Sequence, residues 1–352
     1  MNILIDIGHP AHIHLFRNAA SNWIKKGHDV IFTIRDRNII PVLMKSYGFE
    51  YFIASKAKST SLGLLYELVE HDLNVLKIAK KMKSDLLLGT SVSITHVSKL
   101  LGNHSIVFNE DDEDYLNSFR FLAYPFADTI VIPNSLRDRI THKHVTYNSY
   151  HELAYLHPNH FVPDTAILSE LGVEANERYF IVRLVSLSAH HDKGHAGISE
   201  DTRRKIIKLL SQYGRVFITA EGSLPDDLAC YKLPITYDRI HHALSFASML
   251  VSDSQTMTIE AAVLGTPAIR YNTFVGLCSV IEELEKKYEL TYGFLPEQEN
   301  EMLGKIQDLL KDLSLKETWA RKRQKMLSEK IDLAYWMEKF IEGYPENLNK
   351  EP

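Results

Sequence analysis

The 352-residue chain has little cysteine, no excess of positive charge and no long apolar run, and each shortage excludes a class of protein. Its two cysteines, Cys230 and Cys278, lie far apart without metal-ligand spacing, which argues against a disulfide scaffold and a zinc site. We expect both to be buried small hydrophobic residues in a reducing cytosol. A net charge of −5 argues against general affinity for nucleic acid, whose binding proteins have an excess of Lys and Arg.

The chain also lacks the apolar segments that direct a protein into or across a membrane. No stretch reaches the length of about 18 apolar residues that a spanning helix needs. Met1 leads directly into the strand-like Asn2–Ile7 rather than into a signal peptide. We therefore expect a cytoplasmic protein, for which peripheral contact with a membrane stays open.

Strands and helices are predicted to alternate through the first half of the chain. Segment 62–83 has its apolar residues at helical spacing, whereas the short apolar runs are typical of buried strands. The alternation predicts right-handed crossovers and a parallel sheet covered on both faces. The predicted strands are 2–7, 30–34, 51–54, 86–88, 105–108 and 129–132, and the predicted helices are 15–26, 41–46 and 62–83.

A second alternating series follows a connector between His157 and Asn176, where Pro and polar residues interrupt the pattern. Its predicted strands are 179–185, 215–219, 249–252 and 268–271, and its predicted helices are 202–213, 239–247, 257–264 and 279–288. The sequence therefore predicts an α/β protein with two Rossmann-like domains, residues 1–165 and 175–330, and a cleft between them.

The segment from Ser252 to Pro267 is the most informative in the chain. A strand ends at Ser252, and the helix formers that follow end at Gly265 and Pro267. Free backbone N–H groups and the positive end of the helix dipole meet at such a helix start, which suits a phosphate or diphosphate. The residues expected to bind a nucleotide sugar here are Ser254, Gln255, Thr256, Met257 and Glu260, the last through ribose hydroxyls. The alternative is purely structural, because Ser and Thr also cap helices that bind nothing.

The motifs together resemble one family and one fold. They are the segments 6–14 (DIGHPAHIH), 26–30 (KGHDV), 151–158 (HELAYLHP), 188–192 (SAHHD) and 252–267. The chain is identified as a member of domain-of-unknown-function family 354, which is similar to glycosyltransferases of GT-B type and to UDP-N-acetylglucosamine 2-epimerases. The resemblance implies two Rossmann-like domains around a nucleotide-sugar site. It also implies that a C-terminal helix, within residues 331–352, crosses back to the first domain.

Three histidines follow the first strand, in the loop where open α/β sheets place ligands. Their spacing does not match a pair of metal ligands on one helix face, and we expect no metal. Imidazole titrates near neutral pH and can remove a proton from an acceptor hydroxyl. Because GT-B transferases often have a histidine where the first helix opens, we select His12 as the catalytic base. His9 and His14 are expected on the acceptor side, with capping or packing as their alternative role.

The corresponding loop of the second half is the segment 186–194 (SLSAHHDKG). The resemblance implies that a histidine here approaches the donor diphosphate, so Ser188, His190 and His191 are predicted to bind the nucleotide sugar. Arg183, in the preceding strand, is predicted to balance the charge of the diphosphate. The alternative is a solvated polar loop.

An acidic run follows the predicted strand 105–108. Asn109 and Asp111 are expected on the acceptor side and Glu110 as a catalytic acid, because they are nearest the strand end. Asp112 to Asp114 are expected to form a solvated face. The epimerases also have an acid after the preceding strand, where this chain has Gly89-Thr90-Ser91, and that departure favours a transferase over an epimerase.

The sequence thus predicts a glycosyltransferase that uses a nucleotide-diphosphate sugar, with a UDP-sugar as the expected donor, in surface glycan biosynthesis. A glycan or lipid-linked molecule is the expected acceptor, and no cofactor is expected. A sugar-nucleotide 2-epimerase and a non-catalytic sugar-nucleotide-binding protein remain as alternatives.

Overall fold

The computed structural model describes residues 1–37, 39–58, 60–112, 117–174, 176–185 and 197–349. The chain divides into two compact units. The first contains residues 1–160 together with the described residues from Lys330 onward, and the second contains residues 161–329. Each unit has its own parallel sheet with helices packed on it, so the expected α/β class is confirmed.

The sheet of the first unit has the strand order β3-β2-β1-β4-β5-β6-β7, and all its neighbouring strands run parallel. The strands are β1 (Asn2–Ile7), β2 (Asp29–Asp36), β3 (Tyr51–Lys56), β4 (Leu86–Gly89), β5 (His104–Phe108), β6 (Thr129–Pro133) and β7 (His144–Tyr147). The helices are α1 (Pro10–Lys25), α2 (Ile40–Ser46), α3 (Ser61–Met82), α4 (Ser93–Leu101), α5 (Asn117–Ala123), α6 (Leu153–Leu156) and α14 (Leu333–Glu342). The central strands are almost entirely buried, which explains their continuous apolar sequences.

The last helix, α14, packs against α1 within the first unit. Asn22 of α1 donates to the Glu338 carboxylate at 2.8 Å, and Lys26 forms an ion pair with the same group. The C-terminal segment thereby completes the unit that the N-terminal half begins.

The second unit has the strand order β12-β11-β10-β8-β9, again parallel. Its strands are β8 (Tyr179–Leu184), β9 (Arg215–Ala220), β10 (Met249–Ser252), β11 (Ala268–Tyr271) and β12 (Thr291–Phe294). Its helices are α7 (Ala166–Glu170), α8 (Glu200–Leu210), α9 (Ile240–Phe246), α10 (Gln255–Leu264), α11 (Ser279–Lys286), α12 (Glu299–Lys311) and α13 (Leu315–Glu329). Short 3₁₀ turns connect several of these elements.

Strand order reverses between β1 and β4 in the first unit and between β8 and β10 in the second. Ligands of open α/β sheets bind at such switch points, outside the carboxyl ends of the strands. At the switch point of the first unit, β1 and β4 approach closely at Gly89. This residue has a φ of +157°, and a Cβ atom added to it would lie 2.7 Å from the carbonyl oxygen of Asp6. This glycine lets the segment after β4 pass beside the end of β1.

The sequence also led to expectations about the two cysteines and about membrane-spanning helices. The cysteines are not buried hydrophobic residues, because Cys230 is exposed in the surface turn Asp226–Tyr231 and Cys278 is partly exposed. None of the described helices combines the length and the apolarity that crossing a membrane would require.

Candidate functional site

His12 lies at the switch point of the first unit, in the first turn of α1. This helix begins at Pro10, five residues earlier than expected, because Pro suits the first helical position and the His9 imidazole caps the helix. The Nδ1 atom of His12 is 2.5 Å from the hydroxyl of Thr90, the residue that follows β4. The two side chains bridge the point where strand order reverses, and His12 is only half-buried there.

The surroundings of His12 favour its neutral form. Burial, together with the neighbouring His9 and His151 imidazoles, holds the pKa of His12 well below its ordinary value. The ring is therefore uncharged at neutral pH. Both ring nitrogens lie within hydrogen-bond distance of the Thr90 hydroxyl, Nδ1 at 2.5 Å and Nε2 at 3.1 Å. An uncharged imidazole has one nitrogen that can accept a proton, as a general base requires.

Glu110 and His151 form an ion pair beside His12. Glu110 follows β5, His151 follows β7, and Nδ1 of His151 lies 2.9 Å from a Glu110 carboxylate oxygen. Burial acts to raise the pKa of Glu110, but the charge and hydrogen bond of His151 outweigh it, so the pKa of Glu110 is lowered. The carboxylate is thus ionised at neutral pH.

Two buried polar atoms next to this pair have no hydrogen-bond partner in the described part of the chain. They are Nε2 of His151 and the hydroxyl of Tyr147, whose rings stack at a centroid distance of 6.3 Å. Buried polar groups are rarely left unpaired, so each exception calls for an explanation.

The other acidic-run residues take structural positions. Asn109 is buried and donates to the backbone oxygen of Asp111 at 2.7 Å and to the Tyr124 hydroxyl at 3.1 Å. We expected Asp112 on a solvated face, but it is buried. Its carboxylate accepts a hydrogen bond from the backbone N–H of Arg137 at 3.1 Å. Glu113 and Asp114 lie outside the described residues.

The half-buried Asp111 gives this region a testable pH dependence. Burial and the Glu110 charge raise the pKa of Asp111 from 3.8 to about 7. The folded state therefore binds this proton more tightly than the unfolded state. Protonated Asp111 contributes to the free energy of unfolding at low pH, and this contribution is lost as the pH rises toward 7. We expect Asp111→Asn to be more stable than the wild type at pH 8, by about 1–3 kcal/mol, and to lose the advantage near pH 4.

Urea unfolding of both proteins between pH 4 and pH 8 measures this difference. Asp128→Asn is the control, because it should change the free energy of unfolding at neutral pH in the opposite direction. Burial acts to raise the pKa of Asp128, but Lys99 and Ser105 lower it, so removing this charge should destabilise the protein at neutral pH. Parallel curves for the wild type and Asp111→Asn would show that Asp111 is not protonated in the folded state.

His9 and His14 lie on different sides of α1. His9 is exposed, accepts the backbone N–H of Ala11 at 3.3 Å as the helix cap, and its ring centroid is 5.7 Å from that of His12. His14 is buried and packs between Tyr47 and Tyr155, with ring-centroid distances of 5.8 and 5.1 Å. Of the two, only His9 lies beside His12 and Glu110.

In the second unit, α10 begins at the carboxyl end of β10. The Ser254 hydroxyl caps the helix by accepting the backbone N–H of Met257 at 3.3 Å. Ser254, Gln255 and Thr256 are half-buried at this helix start, and Met257 is buried below them. The first turn of α10 therefore lies at the switch point between β8 and β10, where the backbone N–H groups of a helix start would stabilise an anion.

Asp253, directly before the cap, connects β10 to the segment after β8. One carboxylate oxygen accepts the backbone N–H of Val185 at 2.8 Å, and the other accepts that of Ile198 at 3.2 Å. An added Cβ at Gly197 would lie 2.5 Å from this carboxylate, so a larger residue there would disturb it. Asp253 thereby holds both ends of the segment that contains Ser188, His190 and His191, which themselves lie outside the described residues.

Glu260 is buried in the second turn of α10 and is hydrogen-bonded to a histidine. The Nε2 atom of His241, in α9, is 2.9 Å from its carboxylate, and both side chains are almost fully buried. Because one oxygen of this carboxylate is hydrogen-bonded to His241, its orientation is fixed, which suits recognition of a diol.

Arg183, at the end of β8, donates to Glu221 at 2.8 Å and to the Thr219 hydroxyl at 3.3 Å.

Four neighbours of the predicted residues were not selected from the sequence: Thr90, His151, Asp253 and His241. Asp253 follows a predicted strand directly, and His151 lies within a motif of the family resemblance, so both had a usable signal. The pairing of His241 with Glu260 has no local signal, because it depends on how α9 packs against α10. No group of three His, Cys, Asp or Glu side chains in the described ranges is arranged to hold a metal ion.

Comparison with known proteins agrees with this architecture. A family model described as "Protein of unknown function (DUF354)" matches residues 1–277. An uncharacterised protein of Methanocaldococcus jannaschii is 22% identical over 280 residues, which cover 76% of this chain and 81% of the relative.

Solved structures of similar fold include enzymes of two kinds. One is described as a putative UDP-N-acetylglucosamine 2-epimerase of Listeria monocytogenes, with a TM-score of 0.69 and 11% identity, covering 100% of this chain and 98% of the other. Another is the glycosyltransferase SsfS6 of Streptomyces sp. SF2575 in complex with thymidine diphosphate, with a TM-score of 0.62 and 14% identity, covering 97% and 100%. These likenesses confirm the expected GT-B fold.

Proposed function

The chain belongs to the DUF354 family, whose description assigns no function, and we propose that it is a glycosyltransferase that uses a nucleotide-diphosphate sugar. The observation on which the proposal depends is the neutral, half-buried His12 at a switch point beside the Glu110–His151 pair. Transfer to a hydroxyl acceptor needs a base that is unprotonated at neutral pH, and His12 meets that requirement.

We assign donor binding to the second unit. The helix start at Ser254–Met257 would stabilise the diphosphate through its backbone N–H groups, with Arg183, Ser188, His190 and His191 as further contacts. Glu260, oriented by His241, would accept hydrogen bonds from the ribose hydroxyls. The similar fold of a transferase in complex with thymidine diphosphate supports a nucleotide as the ligand.

We assign acceptor activation to the first unit. His12 would take the proton of the attacking hydroxyl, and Thr90 would hold the imidazole ring in place. Glu110 and His9 would surround the acceptor hydroxyl or the sugar, with Asn109 and Asp111 supporting the loop after β5. A glycan or lipid-linked molecule is the proposed acceptor, and surface glycan synthesis the proposed setting.

A sugar-nucleotide 2-epimerase is the second candidate. The Glu110–His151 pair provides the second acid–base group that proton abstraction and return at a sugar carbon would use, and an epimerase shares the fold. Against it, Thr90 occupies the position after β4 where the epimerases have an acid.

Incubating the protein with UDP-N-acetylglucosamine alone, with product analysis by NMR, separates these functions. A transferase is expected to leave the sugar nucleotide almost unchanged until an acceptor glycan or lipid-linked sugar is added. Release of an epimer or of UDP with a 2-acetamidoglucal without any acceptor would instead identify an epimerase. Ligand binding without turnover under every condition would identify a non-catalytic binding protein.

A further inference from the structure

The long helix α3 of the first unit has an inner face in the core and an outer face that is also apolar. On the inner side, Val75 and Ala79 are fully buried in a hydrophobic cluster with residues of the sheet. On the outer side, five large apolar side chains are between 52% and 83% exposed: Leu62, Leu65, Tyr66, Val69 and Leu73. We call these five residues the α3 stripe.

The α3 stripe is continuous along the helix. Leu62, Leu65, Val69 and Leu73 follow one another at spacings of three or four residues, and Tyr66 is four residues after Leu62. The five side chains therefore lie on one side of the helix over a length of roughly 17 Å. Single exposed apolar residues are normal on soluble proteins, but contiguous apolar patches mark sites of association with a partner or a membrane.

The exposed apolar surface continues on helix α5. Asp72 of α3 bonds to His96 of α4 at 2.8 Å, and the other nitrogen of His96 lies 3.1 Å from the backbone oxygen of Leu122. Phe121 and Leu122 are 72% and 44% exposed. The three helices are thus neighbours, and two of them have large apolar side chains in solvent.

The charges around the α3 stripe are mainly positive. Two acidic residues of α3 are paired with cations of the unit, Glu67 with Arg35 and Glu70 with Lys58, and the carboxylate of Asp72 is hydrogen-bonded to His96. At the C-terminal end, Lys77, Lys80 and Lys81 are exposed, and none of them has an ion-pair partner in the described part of the chain. Lys80 is eighteen residues, or five full helical turns, after Leu62, so it continues the line of the stripe.

We propose that the α3 stripe and the lysines at its end bind the protein to an anionic membrane surface. Apolar side chains of a helix that lies in the membrane plane enter the headgroup region, while neighbouring Lys residues attract anionic lipids. A second copy of the chain fits less well. A parallel pair of α3 helices would bring the like lysines of the two copies together. The proposal does not depend on the reaction proposed above.

Flotation of the full chain with lipid vesicles tests this directly. We expect binding to vesicles that mix phosphatidylcholine with phosphatidylglycerol and much weaker binding to phosphatidylcholine alone. The variant Leu65→Glu/Leu73→Glu should bind the anionic vesicles at least about tenfold more weakly. Lys77→Glu/Lys80→Glu should weaken binding similarly, with the loss reduced at high salt. Both variants change exposed residues, so unchanged thermal unfolding should show that they fold.

The matched control is Leu277→Glu/Leu313→Glu, which places the same charges at two exposed leucines of the second unit, 49% and 98% exposed. It should bind vesicles as the wild type does. The proposal fails if the wild type does not bind anionic vesicles, or if the α3 variants and the control bind equally. It also fails if light scattering shows a wild-type dimer that Leu65→Glu/Leu73→Glu converts to a monomer, because the stripe would then be a contact between two copies.

Discussion

Replacing His12 with alanine is expected to lower turnover by about 10²–10⁴-fold and to leave nucleotide affinity unchanged, because the imidazole is proposed to act on the acceptor. Burial and the neighbouring histidines hold the pKa of His12 well below its ordinary value. The acidic limb of the pH–rate profile should therefore lie below the usual histidine range and disappear in the variant. Steady-state kinetics over pH, combined with calorimetry for the nucleotide, measures both effects.

His14→Ala is the matched control for this experiment. His14 lies two residues further along α1 but is packed between Tyr47 and Tyr155. Its removal should lower thermal stability and leave the turnover of the folded enzyme nearly unchanged. If His12→Ala retained full turnover, or if it lost nucleotide binding, His12 would not be the acceptor-side base.

Glu260→Ala is expected to weaken nucleotide binding by about 1.5–3 kcal/mol, or roughly ten- to more than a hundredfold in Kd, because a charge-assisted hydrogen bond to the ribose is lost. Glu260→Gln, which keeps the shape and loses the charge, should fall between the alanine variant and the wild type. Calorimetry with UDP and with UDP-sugars measures the affinities.

The loss of a buried, paired carboxylate also destabilises a protein, so the control must share that property. Glu338 is similarly buried and is paired with Asn22 and Lys26 in the first unit. Glu338→Ala should lower the unfolding temperature without changing the nucleotide Kd. Equal affinities for Glu260→Ala and Glu338→Ala would show that Glu260 has only a structural role.

The elements that the sequence predicted best are those with uninterrupted signals. Strands β1, β10 and β11 have the predicted bounds, because each is a buried and mainly apolar run that ends at a turn signal. Helix α4 was not predicted, since the Ser, Thr and His residues between Thr90 and Ser98 are typical of a loop. Strand β7 was missed because it is half-exposed at the sheet edge, and β12 because Gly293 interrupts it.

Most residues of the candidate site were selected because they follow a predicted strand. His12, Glu110 and Ser254 could be selected because each comes shortly after a predicted strand, where parallel sheets place ligands. The His151–Glu110 pair joins residues that are 41 positions apart. Such pairs depend on the strand order and on side-chain packing, which local periodicity does not encode.

The central claim, that the second unit binds a nucleotide-diphosphate sugar, is tested most directly by thermal unfolding in a panel of nucleotide sugars. A ligand that binds only the native state stabilises it in proportion to the logarithm of its concentration over Kd. We predict that at least one UDP- or TDP-sugar raises the unfolding temperature in this logarithmic way. In Glu260→Ala the rise should need roughly ten- to more than a hundredfold more ligand, whereas His12→Ala should retain it. No stabilisation by any nucleotide sugar, or a rise that is unchanged in Glu260→Ala, would contradict the account.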